Sequence, residues 1–307
     1  MTSGAGTVFV IGGAEDKLGP RTVLRAFVDA ACGHESRICV IPTASSLGTE
    51  VVDVYTALFR LLGAGEVTTA RPTTRDEADD ADLATSVRHA SGVFMTGGNQ
   101  LKLAQVVGGT GVGAAIAAVH AGGGVVGGTS AGASIVAEHM IAFGTGATTP
   151  RMRASQLWAG LGLVRGCVID QHFAERGRYG RLLSLVAGSP TLLGIGVDED
   201  TAAVIGPGET LAVLGSGAVT IFDARAAITN AHLAERGEPM LVSGVITHVL
   251  PAGSRFDLAS RTLVAAHTSV PAREALEAAA AERDLRALAD MLEDEAAPSS
   301  GTATLEG

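Results

Sequence analysis

The 307 residues, 47% hydrophobic and 18% charged, suffice for one large α/β domain or two small ones around a packed core, and they exclude a disordered chain. A net charge of −10 leaves no basic stripe to neutralise phosphates, which opposes a nucleic-acid partner. The 3 cysteines have no C-x-x-C spacing, and with Cys39 and Cys167 in apolar runs they read as core thiols of a reducing compartment. Residues 1–7 lack the basic-then-apolar order of a signal peptide, and glycine interrupts each long apolar run before it could span a bilayer, so the expectation is a cytoplasmic chain with no membrane partner.

Taken in order, 7–11 and 37–41 are short β-rich runs ended by Gly12-Gly13 and Pro42-Thr43-Ala44-Ser45, each ahead of a helical stretch. Val51, Val54, Leu58, Leu61 and Leu62 recur at helical spacing within 49–63, with Gly63 as the stop and a third strand at 66–70. An acidic helix over 76–89, a strand over 92–96, Gly97-Gly98 and a helix from Asn99 follow. This alternation predicts an α/β fold with a mostly parallel, doubly wound sheet covered on both faces. After residue 206 the runs 210–214, 218–222, 241–250 and 261–265 predict additional C-terminal antiparallel strands in the same domain, because no Pro/Ser-rich linker precedes them. The expected organisation is a single α/β domain over 1–270, an amphipathic helix over 271–296 that packs on the domain or on a partner subunit, and a flexible tail over 297–307. The expected assembly is a homodimer.

In such sheets functional residues collect where strands end at their carboxyl edge. The ends here carry Gly12-Gly13-Ala14-Glu15-Asp16-Lys17, Pro42-Thr43-Ala44-Ser45, Gly97-Gly98-Asn99-Gln100, Gly128-Thr129-Ser130-Ala131-Gly132, Asp170-Gln171-His172-Phe173 and Asp198-Glu199-Asp200. The Ser130 stretch reads as strand, tight turn and helix, the setting of a nucleophilic serine above a helix N-terminus, with glycines 128 and 132 leaving room for neighbouring backbone. The same stretch also fits a phosphate-binding or merely close-packed Gly-rich corner, although no Gly-Lys-Ser/Thr follows to make a P-loop.

A serine nucleophile needs a base, and the base an orienting acid. Of 8 histidines, only His172 follows an apolar strand while bringing a polar cluster with it. Asp198, Glu199 and Asp200 could supply the acid; strand alternation sends 198 and 200 to one side and 199 to the other, so one side can face His172. No second histidine or cysteine stands at ligand spacing from these acids, so no metal is expected.

A set of motifs in one order, Gly12-Gly-Ala-Glu-Asp-Lys17, Thr96-Gly-Gly-Asn-Gln100, Gly128–Ser134, Asp170-Gln-His-Phe with the arginines up to Leu182, and Gly194–Ala202, resembles the cyanophycinase family. That family stands with peptidase E, the aspartyl dipeptidase, among serine peptidases of a class I glutamine-amidotransferase-like fold. The resemblance implies Ser130 as nucleophile, His172 as general base and Glu199 as orienting acid, a chain order unlike that of the α/β-hydrolases. It implies an oxyanion hole from the N–H of Ala131 and that of Gly97 or Gly98, and no cofactor. The implied substrate is cyanophycin, a poly-aspartate carrying arginine on each β-carboxylate that is cut to β-Asp-Arg dipeptides; the alternative is a smaller aspartyl or β-aspartyl peptide. Arg176, Arg178 and Arg181 are expected to hold substrate carboxylates in bidentate forks, and Gln100, Asp170 and Gln171 to bind other polar groups of the substrate. Residues 140–158 match the family loosely, and a non-catalytic small-molecule binder that keeps the turn as an anion pocket is the reading from a different class.

Overall fold

A computed structural model describes residues 4–144, 146 and 148–265. The helix expected over 271–296 and the tail over 297–307 lie outside these residues. The chain runs β1 (Val8–Ile11), α1 (Thr22–Ala30), β2 (Arg37–Ile41), α2 (Glu50–Leu61), β3 (Glu66–Thr69), α3 (Arg75–Ala78), α4 (Ala81–Arg88), β4 (Gly92–Met95), α5 (Gln100–Val107), α6 (Gly111–Ala121), β5 (Val125–Thr129) and α7 (Ala131–Ser134). It continues as β6 (Ala137–Gly144), β7 (Ser155–Ala159), β8 (Val164–Gln171), α8 (Tyr179–Gly188), β9 (Leu193–Val197), β10 (Thr201–Ile205), β11 (Thr210–Gly215), β12 (Ala218–Asp223), β13 (Ile228–Thr229), β14 (Val242–Ser243), β15 (Ile246–Pro251), β16 (Arg255–Asp257) and β17 (Thr262–Ala265).

The strands form a 9-stranded sheet, ordered β17-β16-β11-β10-β1-β5-β4-β2-β3, and a 6-stranded sheet, ordered β15-β12-β9-β8-β6-β7. From β1 through β5, β4 and β2 to β3 all pairs are parallel, whereas β10, β11, β16 and β17 add antiparallel on the other side. This is the α/β fold with a parallel core and C-terminal antiparallel strands. The second sheet was not foreseen: β8 and β9, which end at His172 and at the three acids, run parallel within it and not within the first. The turn 198–200 is where the chain crosses from β9 in one sheet to β10 in the other.

Alternation along the parallel strands divides the interior into two cores. Phe9, Ile11, Ile38, Val40 and Phe94 pack under α1 and α2, while Val8, Val10, Cys39, Ile41, Val93 and Met95 pack under α4, α5 and α6 and against the second sheet. Burial pushes the Cys39 thiol up to about 11 and the Cys167 thiol up to about 12, as expected of core thiols; Cys32, by contrast, is exposed. On α2 the buried face is Tyr55, Leu58 and Phe59, while Val54 and Leu61, though they recur at the same helical spacing as Leu58, are exposed.

Three element boundaries differ from expectation for local reasons. The acidic helix breaks at Asp79-Asp80, where the Asp80 carboxylate accepts the Leu83 N–H at 2.8 Å and starts a new helix. The run 241–250 divides at Gly244, whose φ of 77° turns the chain between β14 and β15. The helix after Ser130 is a single turn of 4 residues, because Ile135 and Val136 bury and lead directly into β6.

Phe27 of α1 meets Phe9, Phe59 and Phe94 with ring centroids 5.5, 5.7 and 5.2 Å away. The same ring covers Gly127 on β5, where a Cβ would stand 2.9 Å from Phe27 Cε2, so this cluster seats the strand that leads to Ser130. Phe27→Ala is expected to destabilise the chain by about 3–5 kcal/mol, read as a lower urea midpoint at unchanged slope.

Candidate active site

Ser130 stands between β5 and α7 with φ 53° and ψ −107°, a conformation that L-residues seldom adopt. Its N–H donates to Ile11 O at 3.0 Å, and its carbonyl accepts from the N–H groups of Ala133 and Ser134, both at 3.1 Å. A Cβ at Gly128 would overlap Gly132, and one at Gly132 would overlap the Met95 carbonyl, so the flanking glycines are required by close backbone approach. With only one helical turn behind it, the serine gains little from a helix dipole, contrary to expectation; local N–H groups are what remain. The N–H groups of Ala131, Gly97 and Gly98 donate to no acceptor among the described residues. Gly97 lies against the serine, a Cβ there standing 3.9 Å from Ser130 Oγ, whereas Gly98 packs on Ala44.

His172 follows β8 with φ 48°. Its Nε2 lies 3.0 Å from Ser130 Oγ and its Nδ1 2.5 Å from Glu199 Oε1. The backbone fixes the ring from two sides: His172 N–H donates to Gly12 O at 2.8 Å, and Gly13 lies so close beneath the imidazole that any Cβ would overlap it. Burial lowers the His172 pKa below the ordinary histidine value; the Glu199 hydrogen bond and charge oppose this, and the Arg176 and Arg178 charges add to it.

The three acids divide by contact. Asp198 caps backbone, accepting the N–H of Ala174 and of Ala218 at 3.1 Å each, and Asp200 accepts the Asp16 N–H at 2.8 Å. Only Glu199 meets the imidazole. Simple strand alternation does not describe this turn, since Asp200 has φ 47°.

The expected substrate-binding residues separate into two groups. Asp170 is fully buried between two arginines: Arg181 Nε donates to Oδ2 at 2.9 Å and its Nη2 to Oδ1, while Arg178 Nη1 donates to Oδ1 at 3.2 Å and to the Gln171 carbonyl. Arg181 Nη1 also holds Gly144 O at 2.7 Å. This corrects the expectation that Asp170, Arg178 and Arg181 grip the substrate, because all three are buried and both guanidinium groups are spent on the Asp170 carboxylate and on backbone carbonyls. Gln171 is likewise buried and tied inward, accepting from Ser134 Oγ at 3.0 Å and donating to Gln100 Oε1 at 3.1 Å; Gln100 Nε2 in turn donates to the carbonyls of Ile141 and Ala142. Of the three arginines only Arg176 is exposed.

Sequence reasoning passed over Glu15, which is buried directly behind the serine turn. Its Oε2 accepts the Thr129 hydroxyl at 2.5 Å, and its Oε1 accepts the Tyr55 hydroxyl and Lys17 Nζ, the latter at 2.8 Å. Burial, and then the nearby Glu15 carboxylate, raise the Tyr55 pKa well above that of a free phenol. These groups line a cavity of about 410 Å³ that opens onto Ser130, His172 and Gly97. The acid within Gly12–Lys17 was the available signal, but nothing in its spacing announces residues 55 and 129 as partners. A second cavity, of about 490 Å³, opens at the other end of β1, β8 and β9 and touches none of these residues.

The family model for peptidase family S51 matches residues 8–213. The chain belongs to peptidase family S51. By that membership it is a serine-type peptidase. The cyanophycinase of Trichormus variabilis is 40% identical over 261 residues, 84% of this chain and 88% of that protein, and the cyanophycinase of Geminocystis herdmanii is 37% identical over 272 residues, 82% and 93% of the two chains. The crystal structure of a peptidase from an acI-B1 actinobacterium, 23% identical, matches 81% of this chain and 99% of its own with a TM-score of 0.57, and so shares the fold.

If Asp170 is a structural anion, its removal strands two buried guanidinium groups. Asp170→Ala is expected to destabilise the fold by about 3–5 kcal/mol in chemical denaturation; a change within about 0.5 kcal/mol would return Arg178 and Arg181 to the candidate substrate groups.

Proposed function

We propose that the chain hydrolyses the poly-aspartate backbone of cyanophycin as a serine-type exopeptidase, releasing β-Asp-Arg dipeptides. The observation that carries this reading is the line from Ser130 Oγ to His172 Nε2 at 3.0 Å and from His172 Nδ1 to Glu199 Oε1 at 2.5 Å, set in a chain 36–40% identical to cyanophycinases. A serine held at a strained strand-to-helix turn, as in a nucleophile elbow, presents its hydroxyl to a base on one side and to free backbone N–H groups on the other.

In this mechanism His172, neutral at the outset, takes the Ser130 proton as Oγ attacks the backbone aspartyl carbonyl. The N–H groups of Ala131 and Gly97 receive the developing oxyanion, and Glu199 stabilises the imidazolium and keeps Nδ1 protonated. The imidazolium then gives its proton to the leaving amine as the C–N bond breaks, leaving an acyl-enzyme on Ser130. Water, deprotonated by His172, attacks that ester and returns the proton to Oγ. Arg176, exposed beside the histidine, is the guanidinium best placed to pair with a substrate carboxylate.

Incubation with purified cyanophycin should release β-Asp-Arg, detected by mass spectrometry. Turnover of short β-aspartyl peptides with intact polymer left untouched would instead favour a dipeptidase. Ser130→Ala should abolish release while keeping the folded signal, and Glu199→Gln should reduce kcat by about 10⁴. Asp198→Asn should act on stability through the two N–H groups it caps, with the folded fraction nearly as active as wild type.

The pH dependence follows from the His172 shift. The base form is neutral, and a pKa below the ordinary value of about 6.5 keeps it neutral further into acid, so the acid limb of kcat/KM should fall below that value. Arg176→Gln removes a charge that disfavours the imidazolium and should move the limb upward, whereas Glu199→Gln removes a stabiliser of the imidazolium and should move it downward. Shifts in the opposite directions would remove His172 from the role of base.

A further inference from the structure

The cavity beside Ser130 carries charges of both signs on its wall, and the catalytic line uses neither. Lys17 Nζ is anchored on Glu15, at 2.8 Å from Oε1 and 3.3 Å from the backbone O, which leaves one of its three donors unused; it also stands 5.5 Å from the centre of the Tyr55 ring. Glu50, on the first turn of α2, is exposed and forms no ion pair among the described residues. Leu47, Val51 and Val54 give the same wall an aliphatic stretch beside Glu50, with Leu47 61% and Val54 45% exposed rather than turned into the core.

A binding pocket for a charged ligand pairs each charged end with an opposite charge and covers the intervening carbon chain. We propose that this cavity receives an arginine carried on an aspartyl β-carboxylate next to the scissile bond, with its α-carboxylate on Lys17, its guanidinium on Glu50 and its methylene stem along Leu47, Val51 and Val54. This rests on the cyanophycin reading and names the group that the cavity selects. Lys17 and Glu15 offset one another, so Glu50 leaves the cavity negative and suited to the cationic end. Because Glu15 saturates its oxygens on Thr129, Tyr55 and Lys17, it fixes the ammonium in place and is itself unavailable to the ligand. Such an arrangement would reject free poly-aspartate, which offers neither a cation for Glu50 nor a stem for the aliphatic wall.

The test compares short α-linked aspartyl peptides whose β-carboxylates bear arginine, citrulline, which lacks the charge of the guanidinium, or agmatine, which lacks the α-carboxylate. On the full chain, kcat/KM should favour arginine over both analogues. Glu50→Gln should reduce the arginine-over-citrulline preference about tenfold while leaving arginine-over-agmatine in place, and Lys17→Gln should do the reverse. Each preference is a ratio measured on one sample, so any loss of folded protein in the Lys17 variant cancels. Preferences unchanged in both variants, or an active wild type that does not distinguish the three peptides, would overturn the inference and leave the peptidase reading standing. A wild type inert on the arginine peptide and on cyanophycin would overturn that reading and this one with it.

Discussion

The end of β1 and the loop after it hold Ser130, His172 and, through Asp200, the turn that carries Glu199. Ile11 O takes the Ser130 N–H, Gly12 O the His172 N–H and Gly13 O the Asp200 N–H, while Asp16 donates its own N–H to the Asp200 carboxylate. Glu15 completes the set from below by accepting the Thr129 hydroxyl. These contacts join strand ends from both sheets, β5 and β10 of the larger and β8 and β9 of the smaller, so the separation of serine and histidine is set by one short segment. Gly12 and Gly13 are bound to be glycine by this closeness: side chains there would overlap the Asp198 carbonyl and the His172 ring. A buried carboxylate without partners is costly, and the three donors around Glu15 are what permit an anion to stand behind the turn.

Backbone strain gathers at the same corner. Ala14, Ser130, His172 and Asp200 all have φ between 47° and 53° without being glycine. Such residues cost of order 1–3 kcal/mol each and persist only where the surroundings over-determine them. Here the hydrogen bonds of the loop supply that constraint, and the aromatic cluster at Phe27 and the buried Asp170 ion pairs hold the strands and α8 from behind.

Much of this was legible from residue order. Strand and helix alternation marks the parallel core, and glycines 128 and 132 beside Ser130 mark a turn where backbone passes close. The second sheet was not legible, because an apolar run such as 167–169 announces a buried strand without naming its neighbour. The shortness of the helix after Ser130 is not legible either, since Ala-Gly-Ala-Ser carries no strong stop and tertiary burial of Ile135 and Val136 ends it. The arginines misled for a related reason. Charge type and spacing suggest a ligand, but whether a guanidinium faces substrate or a buried acid depends on where β8 places Asp170 relative to α8.

The electrostatics around His172 follow from that arrangement. Asp170 carries one negative charge and is flanked by two arginines, so the cluster behind the histidine is positive by one unit. Burial above all, and then the Arg176 and Arg178 charges, disfavours the imidazolium, whereas Glu199, a third exposed and hydrogen-bonded to Nδ1, favours it. The two influences act at different moments of the proposed reaction. Before attack the ring must be neutral to accept a proton, and burial, aided by the Arg176 and Arg178 charges, favours that form. Once the proton has moved, the imidazolium lies between Glu199 and the new oxyanion, and the attraction to both grows while the penalty from burial is unchanged. A carboxylate fixed on the far side of the ring therefore contributes most when the charge has formed, which is the condition for lowering a barrier rather than only tightening the resting state.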